Sequence, residues 1–357
     1  MTRPETKAPR RSRLGADLAL LALVGVMLIA AIGAGGATLY QQFYGPSAFV
    51  SHYLDLLSDG RAADALRVPG VALDRETLEI AGIDPTASEA LLRQAALAPL
   101  TDVEVVSEET VDGLTSVAVS YRAGKHEGST TFAVTQDGWI GVAPNWRFTE
   151  SPLAAIELTV RGADRFSVNG FEVDRRQVSA AGAEAAPLDP LPLLVFTPGV
   201  YSVTVDTPIS RSPGVSVLAD SPLTTTPIDV QTEPTEEFVA VVQKRVEEFL
   251  QECTSQQVLQ PTACPFGLEV SNRIASPPTW SIAVQPSVTV APDGAHWQIP
   301  VADAVAHIEV EIQSLFDGKV TAISEDVPFQ VNGTIVILPD GSASIRVGSP
   351  EDQLETD

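Results

Sequence analysis

The chain of 357 residues carries 22 basic and 46 acidic side chains, a formal net charge of −24 at pH 7. Such a surface repels polyphosphates and anionic lipid, which excludes nucleic acid as a partner; the same balance suits a high-G+C or salt-tolerant proteome whose surfaces are acidic for solubility. A hydrophobic fraction of 44% supports folded cores rather than a disordered chain, and the length suits two or three domains beyond the first forty residues.

Leu18 to Leu39 reads LALLALVGVMLIAAIGAGGATL, with no charge. At 1.5 Å rise per residue that run makes a helix of roughly 33 Å, enough to cross a bilayer core of about 30 Å. Arg3, Lys7, Arg10, Arg11 and Arg13 precede it, and no Lys or Arg follows until Arg61. The positive-inside rule makes residues 1–17 a basic cytoplasmic tail and 18–40 a transmembrane signal anchor, with everything later extracytoplasmic. This predicts a single-pass protein of the cell membrane whose first partner is the lipid bilayer, met through residues 18–39. The rival is a cleaved signal peptide ending near Gly35-Gly36-Ala37, but the run exceeds the roughly 7–15 residues of an ordinary signal core. No cysteine stands directly after the run, which excludes a lipoprotein.

Residues 41–150 read as one domain. Ser47 to Leu66 places apolar residues at 49, 50, 53, 54, 56, 57 and 66, a helical spacing with a break at Asp59-Gly60. Asp74 is the N-cap of a second helix, and Thr86 or Ser88 opens a third, SEALLRQAAL, stopped by Pro99. The period then falls to two. Val103 to Val105 leads to a turn at Asp112-Gly113, Val117, Val119 and Tyr121 alternate, Thr131 to Val134 follow, and a turn at Asp137-Gly138 introduces Trp139-Ile140. Residues 153–230 lack a helical period and read as a small β-sandwich-like module. Its strands include Ile156 to Val160, Phe166 to Val173 across a turn at Asn169-Gly170, and Leu193 to Val205 across Pro198-Gly199, with Val215 to Leu218 and Ile228 to Val230 completing the set.

Pro234 begins a third unit, 234–348. Glu236 to Glu252 puts Phe238, Val241, Val242, Val246, Phe249 and Leu250 on one helical stripe. Strands follow at Trp280 to Val284, Val288 to Val290, Trp297 to Val301 and Ala306 to Ile312, with turns at Asp317-Gly318, Asn332-Gly333 and Asp340-Gly341. Cys253 and Cys264 are the only cysteines. Outside the membrane they predict a disulfide, and with no histidine between them they supply half a zinc site at most. Residues 349–357 read as a disordered acidic tail. Helices followed by an antiparallel sheet, twice, around a β module make the fold class α+β.

The pattern YLDLLSDGRAADAL (Tyr53 to Leu66), a Val-rich strand pair and TFAVTQDGWI (Thr131 to Ile140) resemble the small nuclear-transport-factor-2-like domains of bacterial envelope proteins. VNGFEV (Val168 to Val173) followed by FTPGVYSVTV (Phe196 to Val205) resembles PEGA-type β modules. The plan as a whole is similar to the teicoplanin-resistance-associated membrane proteins and to actinobacterial envelope proteins, though no zinc-ribbon cysteines precede the apolar run. The resemblance implies two cone-like α+β domains, helices packed on a curved antiparallel sheet with a pocket inside, flanking the β module.

Candidate chemistry is sparse. In cone-like enzymes an Asp–His or Tyr–Asp set lines the pocket, and here His52, Tyr53 and Asp55 share the first helix. Trp139 and Trp146 are candidates for closing a pocket or forming a recognition patch; the plainer reading has both capping the first domain's core. His126, His296 and His307 lie on strands or turns, and no two histidines have metal-ligand spacing. There is no G-x-S-x-G elbow, and the one glycine-rich stretch lies in the apolar run, so no catalytic residue, metal or cofactor is assigned. The sequence is read first as a non-enzymatic envelope protein displaying binding or scaffold domains to another envelope protein or a cell-wall glycan. The alternatives are a cone-fold isomerase or hydrolase acting on a small extracytoplasmic substrate, and a membrane-tethered regulator.

Overall fold

A computed structural model describes residues 20–28, 40–141, 143–338 and 341–348. Residues 20–28 are helical and largely exposed; the rest of the expected span, 18–19 and 29–39, lies outside the described residues, as do the basic and acidic tails. Among the described residues no helix is long and apolar enough to cross a membrane. Two compact units are present, one built on residues up to 73 and 99–152, the other on 74–98 and 153–357.

The first unit opens with α1 (Pro46–Ser58) and the short α2 (Ala62–Ala65). An antiparallel meander in the order β1-β2-β3-β4 follows, from β1 (Leu100–Val111), β2 (Leu114–Ala123), β3 (His126–Ile140) and β4 (Ala143–Phe148). Val117, Val119, Phe132 and Val134 on one face of the sheet are buried, as are Val50, Tyr53, Leu54 and Leu57 of α1. The aromatic rings of Tyr53, Phe132 and Phe148 meet edge to face, with centroids 5.2–6.1 Å apart. Asp112-Gly113 closes the first hairpin as expected, since Val111 pairs with Leu114. Asp137-Gly138 is not a turn. Gly138 (φ +82°) sits in a bulge inside β3, where the pairing shifts between Gln136 and Trp139, so the strand runs on to Ile140.

The second unit begins with α3 (Arg75–Ile80), capped by the Asp74 carboxylate, which accepts from the Thr77 N–H at 2.8 Å. The expected third helix is replaced by two 3₁₀ turns, Glu89–Leu91 and Gln94–Ala96. Ser88 is drawn into a sheet instead: its N–H donates to the Pro192 carbonyl and its carbonyl accepts from Leu194, both at 2.9 Å, while Leu91 and Ala96 enter the core beneath. Tertiary pairing overrides helix propensity here and carries the segment into this unit.

The β module holds β5 (Leu153–Arg161), β6 (Arg165–Val168), β7 (Phe171–Asp174), α4 (Arg175–Val178), β8 (Leu191–Phe196), β9 (Gly199–Thr204), β10 (Ser210–Arg211), β11 (Val215–Ala219), β12 (Thr225–Gln231) and β13 (Glu233–Pro234). Sheets β12-β5-β8 and β11-β9-β6-β7 share one core, in which Ile156, Leu158 and Val195 meet Val168, Tyr201 and Val203. Strand β12 runs parallel to β5, and Asn169-Gly170 closes the β6–β7 hairpin. The Tyr201 hydroxyl donates to the Phe196 carbonyl and accepts from the Phe196 N–H; burial raises its pKa above the ordinary phenol value.

The remainder is α5 (Glu236–Thr254) against a six-stranded sheet of β14 (Arg273–Ile274), β15 (Thr279–Val284), β16 (Ala291–Asp293), β17 (His296–Gln313), β18 (Val320–Ile337) and β19 (Ala343–Gly348). The Thr235 hydroxyl caps α5 by accepting from the Phe238 N–H. Phe238, Val242, Val246, Leu250 and Cys253 form the buried stripe, while Val241 points to solvent at 58% exposure. The two strands expected at Trp297 to Val301 and Ala306 to Ile312 are one, β17, with a bulge between Ile299 and Ala302. Trp297 and Ile299 are buried before it and Ala304, Ala306, Ile308, Val310 and Ile312 after it, so the bulge switches the inward parity from odd to even. Asn332-Gly333 is not a hairpin. It lies inside β18, paired on both sides, where a Cβ on Gly333 would come within 2.4 Å of the Arg346 carbonyl oxygen.

The fold is mixed, with many mostly antiparallel strands and few helices, in keeping with α+β. Cys253 and Cys264 form the expected disulfide, with Cα atoms 5.8 Å apart at the end of α5. Replacing both cysteines with serine, or reducing the protein, lowers the stability of the α5 region by about 2–4 kcal/mol. Thermal unfolding with and without reductant checks this, and the transition of the first unit stays where it was.

Candidate functional site

The residues singled out in the sequence lie apart. His52 is exposed on α1, at a shallow hollow of about 310 Å³ that Phe49, Leu56, Arg61, Asp64, Arg67 and Val68 also line. The carboxylate in that hollow, Asp64, is paired with Arg61 at 2.8 Å and Arg67 at 2.6 Å. Tyr53 is no pocket residue. It is fully buried, its ring packed on Phe132 and Phe148 and its hydroxyl donating to the Pro152 carbonyl at 3.2 Å. Trp146 is half-buried, with its indole N–H donating to the Tyr44 carbonyl at 2.8 Å. Trp139 does not cap the core: it is 64% exposed near the tip of the β3–β4 hairpin.

Arg175 is a buried cation that sequence reasoning missed. Its Nη1 donates to the carbonyl oxygens of Asp189 (2.5 Å) and Ala186 (3.3 Å), and burial lowers its pKa below the ordinary arginine value against the pull of Asp164 and Asp189. These bonds close the 186–189 turn on α4, a role in holding the module together.

The strongest constellation lies on the outer face of the C-terminal sheet. With Ala306 and Ile308 turned inward, His307 turns outward between Ser281 of β15 and Asp326 of β18. Its Nδ1 lies 2.6 Å from Oδ1 of Asp326, and its Nε2 lies 3.1 Å from Oγ of Ser324. An ionised carboxylate only accepts, so in a neutral ring Nδ1 carries the hydrogen and Nε2 accepts from the serine hydroxyl. Two residues along the ribbon, about 7 Å, Val305 pairs with Pro328 beside Val284, which a bulge in β15 has turned onto this face. With Asp303 and Gln330, hydrogen-bonded at 2.9 Å, they line a shallow groove of about 330 Å³. The connection between β17 and β18 carries Leu315 and Phe316, 74% and 100% exposed.

One edge of this surface is unpaired. Residues 320–331 of β18 pair with β17, whereas β19 pairs only with 332–337, so among the described residues no strand pairs with the other side of 320–331. No group of acidic, histidine or cysteine side chains among the described residues forms a metal site. No family model, curated protein or solved structure matches the chain.

Because Tyr53 serves packing and His52 faces water, their substitutions separate. Tyr53→Ala lowers the stability of the first unit by about 3–5 kcal/mol, while His52→Ala changes it by less than about 0.5 kcal/mol. Chemical denaturation followed by far-ultraviolet circular dichroism measures both.

Proposed function

We propose that this chain is a non-enzymatic, single-pass membrane protein of the bacterial cell envelope. Residues 18–39 anchor it with the N-terminus in the cytoplasm, and the extracytoplasmic modules bind another envelope protein or a cell-wall glycan. The basic residues before the apolar run, and their absence up to Arg61, support this orientation. We extend the proposal to the finer fold: the helix-on-sheet layers of the first unit and of α5 with its sheet are cone-like domains around a PEGA-like module.

The observation that carries the binding reading is the open edge of β18. Twelve consecutive residues, 320–331, offer one side of their backbone to a further strand, next to a groove and an apolar loop. A partner strand added there gains main-chain hydrogen bonds along the edge and side-chain contacts in the groove. The test is photo-crosslinking of the intact chain in its native membrane, with the reactive group at Ala322. A discrete adduct, lost when Ser324 is changed to Lys to charge the same edge and retained when His52 is changed to Ala, supports the reading. No adduct, or one indifferent to the Ser324 change, sinks it.

A second reading rests on the Ser324–His307–Asp326 chain, whose connectivity is that of a serine hydrolase. Such an enzyme also needs water excluded and donors aimed at a developing oxyanion. Ser324 is exposed and the Asp326 carboxylate is 67% exposed, which favours binding over acyl transfer. A fluorophosphonate probe decides: the wild-type chain stays unlabelled under the binding reading, and labelling abolished by Ser324→Ala establishes the hydrolase.

A further inference from the structure

We infer that the end of the first unit nearest the apolar run rests in the polar–apolar interface of the bilayer, with Trp139 and Ile140 as its lipid contacts. This rests on the reading of residues 18–39 as an anchor and adds a second, peripheral membrane contact.

Tyr40 follows the uncharged run directly, and residues 40–44 are helical, with the rings of Tyr40 and Tyr44 5.2 Å apart. Four residues of helix rise about 6 Å. The Tyr44 carbonyl therefore lies about 6 Å along that helix from Tyr40, a distance comparable to the headgroup layer, which adds about 5–8 Å on each side of the hydrocarbon core. At that level the Trp146 indole N–H donates to the Tyr44 carbonyl and ties the β3–β4 hairpin to the chain. Strand register places the rest. Trp146 pairs with Gln136, and farther toward the tip Trp139 pairs with Pro144 and Ile140 with Ala143. The β1–β2 hairpin ends on the same side of the sheet, since Leu114 pairs with both Val111 and Thr135.

The side chains gathered at this end are large, apolar or aromatic, and open. Ile140 is 71% exposed, Phe43 70%, Trp139 64% and Val111 58%. Solvent alone gives no reason for a tryptophan and an isoleucine side by side on a hairpin tip, whereas the interface of a bilayer accepts both an indole and an aliphatic side chain. A rim of carboxylates, Glu108, Glu109, Asp112 and Asp137, lies along the ends of β1 and β3 and the β1–β2 turn, and Arg147 lies 3.9 Å from Asp137. That rim selects a neutral, zwitterionic surface and disfavours an anionic one. A second copy of the chain is the competing occupant; the test separates it.

The experiment uses the full chain in phosphatidylcholine nanodiscs, with and without acyl-chain-brominated phosphatidylcholine as a contact quencher of tryptophan. Trp280 and Trp297 are buried in the second unit and serve as an internal reference. Brominated lipid quenches part of the wild-type emission, and Trp139→Phe, a change at an exposed site, loses most of that quenching. Replacing part of the lipid with phosphatidylglycerol does not increase it. Equal quenching in wild type and Trp139→Phe overturns the inference, as does a Trp139 signal shielded from aqueous quencher but untouched by brominated lipid, which would mark a protein contact. Resistance of the native protein to carbonate extraction is scored separately: a chain that resists extraction yet shows no Trp139 quenching fails this inference alone, and a chain that is extracted fails the anchor with it.

Discussion

The contact on which the C-terminal half depends is the stripe of α5 laid against the inner face of its sheet. Phe238, Val242, Val246, Leu250 and Cys253 recur every three or four residues, and each is buried. They require an apolar row opposite, and β17 supplies it from Ala304 to Ile312 at every second position. A strand has period two, so slipping this pairing by one residue would turn Ile308 and Val310 to water and His307 and Glu309 into the core. Each apolar side chain so exposed forfeits about 1.5–3 kcal/mol, which holds the register. The bulge after Ile299 follows from the same demand: Trp297 and Ile299 need the core as well, and only an extra residue between Ile299 and Ala302 lets both segments face inward.

Everything on the outer face is set by that choice. His307 is outward because Ala306 and Ile308 are inward, and pairing with β18 then puts Asp326 opposite it and Ser324 on the diagonal. The hydrogen-bonded chain and the groove beside it are thus products of register rather than of a folded-in pocket, which explains why they lie open. An open outer face beside a strand paired on one side only suits recognition of an extended partner; it does not enclose a small substrate. Pro328 and the carboxylates of Glu325 and Asp326 along this edge are residue types that discourage indiscriminate strand pairing, so a partner must match them.

Legibility from the sequence followed how local each signal was. The Asp74 cap, the α5 stripe apart from Val241, the Asp112-Gly113 and Asn169-Gly170 turns and the disulfide depend on neighbours within a dozen residues, and these stand in the structure. The errors came where a distant strand decided. SEALLRQAAL has helical composition, yet the edge of β8 captures Ser88 and leaves only 3₁₀ turns. Asp137-Gly138 and Asn332-Gly333 carry the dipeptides of hairpins, but the flanking residues keep their ladder partners, so one becomes a bulge and the other a strand interior. Helical spacing placed His52 and Tyr53 together and could not separate an outward ring from an inward one at adjacent positions. The outer-face chain was invisible for a stricter reason: Ser324 and His307 are 17 positions apart, and only the β17–β18 register joins them.

Charge then bears on how such a protein makes contacts. Five of the 22 basic side chains and only two of the 46 acidic ones lie in the first forty residues, so the remainder is more acidic than the whole chain's −24. At physiological ionic strength that field is screened within about 8 Å, so it guides approach and contributes little once surfaces touch. Adhesion therefore has to come from apolar side chains and backbone hydrogen bonds offered at the surface. Among the described residues, the aromatic end of the first unit and the unpaired edge and loop of β17–β18 are places that expose such groups. An acidic surroundings at each raises the cost of docking on anionic material, so a contact at either place has to be short-range and shape-dependent. That combination of broad repulsion and local adhesion gives selectivity to a protein among many polyanions, without a deep binding site.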